Sequence, residues 1–221
     1  MPFDCRLQQP FNLLVSGPSK SGKTTFVADL LKVGEDMFVK NPDYVILYYA
    51  NSQPIYHDLL RAKLINEMIN FNDAEPQYQD IYNKVEPYKK KNGSLIIFDD
   101  TLSDIRPGFE KIFQVLGHHT NCSLIYLTQN LFYDNKAFRN ISLQLDYICV
   151  MRNQRNTSQI RSLANQLCAG NTQFILKAYQ DATKNPFGYI IFDCSANAVP
   201  ELSLRTNIFP GQEPYTVYIE K

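Results

Sequence analysis

The stretch VSGPSKSGKTTF, Val15–Phe26, decides how the rest of the chain is read. Gly17, four residues, then Gly22, Lys23 and Thr24 reproduce the phosphate-loop spacing G-x-x-x-x-G-K-[ST]. With glycine near 7% of average usage, a chance match in a chain this long is expected on the order of one time in a hundred. The flanks fit the mechanism as well. Phe11–Val15 is an apolar run that reads as a buried strand, and Thr24–Val33 reads as the helix after it. Glycines at 17 and 22 let backbone come close to an anion, and the amides of Ser21–Thr24 open the helix, where the dipole favours negative charge. The loop Gly17, Pro18, Ser19, Lys20, Ser21, Gly22, Lys23, Thr24 and Thr25 is therefore expected to hold a nucleotide's phosphates, with Lys23 on the β- and γ-phosphates and the Thr24 hydroxyl on Mg²⁺.

Outward from the loop, strand and helix alternate. Apolar runs at Tyr44–Ala50, Ser94–Asp100, Ser123–Asn130 and Tyr147–Met151 read as strands. Residues 55–69 and 76–91 read as amphipathic helices, with further helices around Phe109–Leu116, Thr157–Gln166 and Thr172–Gln180. Such alternation implies parallel strands joined by right-handed crossovers, with ligands at the carboxyl ends of the strands. Gly188–Cys194 reads as a late strand, antiparallel at an edge. The segment from Ala196 onward, with Pro200, Pro210 and Pro214, reads as an extended arm. The organisation expected is an N-terminal arm over 1–10, one ATPase domain over 11–195 and a tail over 196–221.

Two further motifs fall at strand tips. LIIFDD ends in Asp99 and Asp100. On a strand of the same sheet, Asp99 would hold Mg²⁺ directly or through water, complementing Thr24, and Asp100 would orient and deprotonate an attacking water. YLTQN ends with Gln129, an amide suited to holding that water or touching the γ-phosphate. The bland alternative for both is a polar turn closing a strand. Among the basic residues, Arg139 and then Arg155 are the candidates for an arginine supplied across a subunit interface. Lys89–Lys91 reads as a solvated helix end, and His118-His119 as loop.

Bulk composition narrows the classes. With 22 basic and 22 acidic residues the chain has no global electrostatic footprint of a nucleic-acid coating protein, so any DNA contact is expected to be local or completed in an oligomer. Five cysteines, none in a C-x-x-C pair, argue against a zinc site and a disulfide framework and for reduced core thiols. No leader and no membrane span is legible, so the expectation is a soluble intracellular protein. A switch GTPase would need an Asn-Lys-x-Asp guanine reader, which the sequence lacks. A small-molecule kinase and a helicase stay open, although the acid pair and Gln129 fit water as nucleophile better than a kinase acceptor.

Taken together, SGPSKSGKTT, LIIFDD, HHTNCSLIYLTQNLF and RNISLQLDYICVMRNQRNTSQIRSLANQL resemble the genome-packaging ATPases of double-stranded DNA viruses in the FtsK–HerA superfamily. The likeness is to those of Polinton/Maverick-type elements, adintoviruses and virophages, and more distantly to the poxvirus packaging ATPase. It runs from about Phe11 to Gln166 and is most specific between His118 and Leu131. The resemblance implies a RecA/ASCE-like P-loop NTPase with a mainly parallel sheet flanked by helices. It also implies a ring, pentamer or hexamer, that uses ATP and Mg²⁺ to thread double-stranded DNA into a shell at a capsid vertex. Gly17–Thr24 would be the Walker A loop, Asp99 and Asp100 the Walker B pair and Gln129 the strand-end sensor. Many relatives have Asp-Glu at the second motif, where this chain has Asp-Asp. The place of action implied is the nucleus or cytoplasmic virus factory of an infected host, with association to the virion as a further expectation.

Overall fold

Alternating burial along the strands sets the architecture. In the computed structural model, which describes residues 4–72, 77–100, 112, 116–117, 119–132, 136–155, 157–167, 170–212 and 215–220, odd and even strand positions feed two separate apolar layers. The strands are β1 (Asn12–Ser16), β2 (Tyr44–Tyr49), β3 (Glu67–Asn70), β4 (Ser94–Asp99), β5 (Cys122–Thr128), β6 (Tyr147–Met151), β7 (Tyr189–Asp193), β8 (Leu204–Thr206) and β9 (Thr216–Val217). Leu14, Ile96, Phe98, Leu124 and Tyr126 face one layer, and Leu13, Val15, Ile97, Ile125 and Leu127 face the other. Buried on both faces, these strands carry near-continuous apolar runs, as parallel strands between helices must.

Among the described residues the sheet order is β3-β2-β4-β5-β1-β6-β7-β8-β9, parallel from β3 to β6 and antiparallel beyond. The helices whose bounds lie among the described residues are α1 (Lys23–Lys32), α2 (Gly34–Met37), α3 (Pro54–Arg61), α4 (Tyr78–Val85), α5 (Lys136–Ser142), α6 (Thr157–Leu167) and α7 (Thr172–Ala182). Side chains of α1 and α3 fill one layer, and those of α4 to α7 fill the other. Across β2, β4 and β5 the paired residues Tyr48, Phe98 and Tyr126 stack with centroids 5.3 and 5.2 Å apart. The expected α/β fold with a mainly parallel sheet is the fold observed. Of the expected helix over 109–116 only Ile112 and Leu116 are described, and both are buried.

Three local expectations are corrected. The single helix over 55–69 is instead α3 followed by β3. Lys63 takes a left-handed φ of 57°, its N–H bonds to Leu60 O at 3.0 Å, and Leu64 N–H bonds to Leu59 O at 3.0 Å. That pair of bonds is a Schellman closure, which ends the helix whatever the apolar periodicity beyond it. Asn66 then docks on β2, its N–H bonding Val45 O at 2.8 Å and its side-chain oxygen accepting from Val45 N–H at 2.7 Å. The late strand β7 is antiparallel, as expected, yet it is no edge. The segment after Ala196, expected as an extended arm, is joined to the sheet: β8 and β9 continue it, and Arg205 is buried against Asp193 at 3.6 Å, over the Tyr147 ring.

At the other end, Leu7 is buried and exchanges backbone bonds with Met37 and Val39 at 2.8 and 3.1 Å. Cys122 and Cys149 are free thiols inside the core, their pKa values pushed up by burial, as the composition implied; Cys5 and Cys194 are also free, and Cys168 lies outside the described residues.

Lys63 is an exposed residue at a position that favours glycine. Lys63→Gly is expected to stabilise the fold by up to about 1 kcal/mol and Lys63→Val to destabilise it by at least as much, read as opposite shifts of the urea midpoint at constant slope.

Candidate functional site

The loop between β1 and α1 owes its shape to close approach. A Cβ on Gly17 would lie 2.6 Å from Met151 Cβ at the end of β6, and Gly22 has φ +97°. Only glycine meets both conditions. Gly17 N–H extends the ladder to Thr128 O at 3.1 Å, and Phe26 N–H makes the first helical bond to Gly22 O at 2.8 Å. No side chain caps α1 and no acid sits in its first turn. Its leading amides are thus open toward an anion, and the dipole adds to the attraction. Ser21 Oγ is buried in this loop without a partner among the described residues.

Lys23 is folded back on the loop, donating from Nζ to Gly17 O at 2.7 Å and Pro18 O at 3.1 Å. Burial lowers its pKa, while Asp99 and then Asp100 act in the opposite sense. A triphosphate would supply the partner charge that two carbonyl dipoles only imitate.

β5 lies between β1 and β4, so the acid-bearing strand is one strand away from the loop strand. The register pairs Ser16 with Thr128 and Leu127 with Asp99, which aligns the three strand tips on one rim. There Asp99 is buried at 4% exposure, and its Oδ2 accepts from Thr24 Oγ1 at 3.0 Å and Tyr56 OH at 2.6 Å. Gln53 Nε2 donates to the Tyr56 hydroxyl at 2.9 Å. Burial raises the Asp99 carboxyl above its ordinary value, against the hydrogen bonds from Tyr56 and Thr24 and the charge of Lys23. The Tyr56 phenol is raised far above its usual value by burial and by Asp99. Thr24 and Asp99 form an oxygen-only pair suited to a hard divalent cation. Among the described residues no group of three or more acidic, histidine or cysteine side chains makes a metal cage, so such a cation would complete its shell with water and phosphate oxygens.

Asp100 turns away from the strand with a left-handed φ of 56°, its N–H held by Leu127 O at 3.2 Å. Its carboxylate accepts from Gln129 Nε2 at 3.2 and 3.4 Å. A non-glycine residue at positive φ stores about 1 kcal/mol or more of backbone strain, and such outliers gather at functional sites.

A cavity of about 350 Å³ unites these groups, lined by Ser19–Thr25 together with Asp99, Asp100 and Gln129. Asn51, Gln53, Tyr56 and Phe187 line it too, and the sequence reading missed all four. Asn51 and Gln53 follow β2 without forming a motif, and Tyr56 falls in the stretch 55–69 expected as an amphipathic helix. Arg155, with Arg152 and Pro18, lines an adjoining cavity of about 650 Å³ that shares Ser19–Ser21 and Gln129. Arg139 lines neither; it is exposed in the last turn of α5. His118 lies outside the described residues.

A family model described as Poxvirus A32 protein matches residues 3–192. The chain belongs to that family. The resemblance drawn from the motifs is borne out. Among solved structures this A32 family member is similar to B204, the DNA-packaging ATPase from Sulfolobus Turreted Icosahedral Virus, at 14% identity and TM-score 0.59 over 93% of this chain and 98% of that one. It is similar to the genome packaging NTPase B204 from Sulfolobus turreted icosahedral virus 2 in complex with ATP-gammaS, at 14% identity and TM-score 0.58 over 92% and 97% of the two chains. The cytoplasmic domain of the Thermomonospora curvata Type VII secretion ATPase EccC follows at 13% and 0.55, over 83% of this chain and 24% of that one. At these identities the likeness speaks to the fold. A search of curated protein sequences gives no match.

Because burial raises Asp99, the folded state holds that proton more tightly than the unfolded chain. The ionised group therefore opposes folding increasingly as pH rises from the ordinary carboxylate range through the raised value, and the penalty is complete above it. Asp99→Asn is expected to raise the Tm of the nucleotide-free protein by a few degrees at neutral pH, with the gain vanishing in acid, while abolishing stabilisation by ATP with Mg²⁺. Thermal melts across pH, with and without the nucleotide, check both halves.

Proposed function

We propose that this chain is the ATP-hydrolysing motor that drives double-stranded viral DNA into a preformed capsid. Membership of the A32 family supports the packaging role. The observation that carries the chemistry is the Asp100–Gln129 pair, a carboxylate and an amide within 3.4 Å on adjacent strand tips, facing the phosphate-loop cavity. Such a pair suits a water molecule: Asp100 takes its proton and Gln129 fixes its orientation.

Hydrolysis then runs as follows. The α1 amides and Lys23 hold the β- and γ-phosphates. Thr24 and Asp99 would hold Mg²⁺, which would supply positive charge against the phosphate oxygens. Asp100 accepts a proton from water as its oxygen bonds to the γ-phosphorus, the bond to the bridging oxygen breaks, and ADP and phosphate leave. Tyr56, held by Gln53, keeps the Asp99 carboxylate fixed in orientation. Arg155 lines the cavity that adjoins the phosphate loop and Gln129, and Arg139 is displayed outward, so both remain candidates for contacts across a ring interface. The ring, pentamer or hexamer, would complete the DNA path, since 22 basic and 22 acidic residues leave one chain without net charge. Its setting is the infected cell, at a capsid vertex. No helix among the described residues is long and apolar enough to cross a membrane.

Steady-state hydrolysis should rise with linear duplex DNA and not with single strands. Stimulation by single strands alone, with strand separation, would replace the packaging reading with a helicase. Lys23→Ala should lose tight ATP binding and turnover together. Asp100→Asn should bind ATP as the wild type does and turn it over at least about a hundredfold more slowly. Wild-type turnover in Asp100→Asn would remove the base from this scheme.

A further inference from the structure

The turn Asn185–Gly188 carries an anomaly. Gly188 N–H bonds to Asn185 O at 3.1 Å, Pro186 is second and Phe187 third, with φ +61°. A positive φ at the third position of a Pro-led turn belongs to glycine or asparagine, and a bulky aromatic is strained there. Packing does not compensate, since Phe187 is 65% exposed. The turn is nonetheless fixed in place: Arg152 N–H bonds to Gly188 O at 2.8 Å, and a Cβ on Gly188 would lie 2.6 Å from Ala182 O. An exposed ring is thus carried on a fixed turn, at a conformational penalty, beside the phosphate loop. The Phe187 ring comes within 3.2 Å of where a Cβ on Gly22 would be.

The direction in which a nucleotide must run gives this ring a role. Asp99, Asp100 and Gln129 lie on the β4–β5 side of β1, so the reacting γ-phosphate belongs there. The nucleoside must leave toward the opposite side, where β6 and β7 lie. On that side is a third cavity of about 220 Å³, which shares Gly22, Thr25 and Phe187 with the phosphate cavity. Its wall is aromatic: Phe26 meets Tyr189 at 4.9 Å and Phe209 at 5.2 Å between ring centroids. Gln212 adds a polar group, its Oε1 already accepting from the Tyr189 hydroxyl at 3.0 Å.

We propose that Phe187 is the stacking platform for the purine base of the nucleotide, with the aromatic cavity beneath it as the base subsite. The inference rests on the ATP reading given above. A flat apolar ring on an exposed rigid turn offers a base a face at little loss of side-chain entropy. Backbone strain in the free protein is the counterpart of that readiness.

Binding of two probes separates the base from the phosphates: ATP, and inorganic tripolyphosphate, which has the phosphates alone. Phe187→Ala should weaken ATP by about tenfold or more and leave tripolyphosphate unchanged. Phe187→Gly should weaken ATP likewise and yet raise the Tm of the free protein, because the turn strain is relieved. The chain has no tryptophan, so Phe187→Trp introduces a single indole whose fluorescence ATP should quench and tripolyphosphate should not. Equal loss of both ligands in Phe187→Ala, undiminished ATP binding, or quenching by tripolyphosphate as strong as by ATP would each overturn the base platform while leaving the phosphate loop intact. Wild-type protein that binds neither probe would overturn the nucleotide reading and this inference with it.

Discussion

The register of three neighbouring strands is the constraint on which the site depends. Pairing Ser16 with Thr128 and Leu127 with Asp99 brings the ends of β1, β5 and β4 to one level. A slip of one residue would turn each strand's side chains to the opposite layer and undo the packing of both, so the two apolar layers and the ladder hydrogen bonds hold the register together. The phosphate loop, the acid pair and Gln129 then need no further device to meet. Each is simply the next stretch of chain after its strand.

Within that frame Asp99 is the most heavily committed side chain. It is buried, its ionisation is opposed by that burial, and it is steadied by Thr24 and Tyr56. A buried carboxylate with hydroxyl donors and one nearby cation is an unsettled arrangement that a divalent ion and a triphosphate would settle. A triphosphate would likewise draw the folded-back Lys23 away from its two carbonyl partners.

What could be read from sequence follows from how local each signal is. The loop Gly17–Thr24, the acids after LIIF and the strand before Gln129 were legible because one strand-turn unit specifies each of them. The end of α3 was not, since apolar spacing continues through Met68 and Ile69 while a left-handed Lys63 stops the helix. Tyr56 was hidden for a related reason. Its ring packs in the core as periodicity suggests, and only the fold reveals that its hydroxyl reaches a carboxylate 43 residues on. Phe187 could have been suspected from an aromatic where Asn-Pro-x-Gly invites a small turn residue, but its nearness to Gly22 is a tertiary fact. The strands β8 and β9 are short, and nothing local announces pairing with β7.

Those last strands alter what the proline-rich end of the chain does. Arg205 offers its guanidinium to Asp193 and the Tyr147 ring at the boundary between the parallel and antiparallel parts of the sheet. Shortening the chain at Ala196, as its composition invites, would strip β8 and β9 from β7 and leave a nearly buried carboxylate without its cation. The row of amides and carbonyls uncovered along β7 would lie in a largely apolar strand, open to pairing with a second molecule. Trimming there would yield not a tidier monomer but a self-associating one, and the segment that resembles a loose appendage serves as the sheet's selvedge.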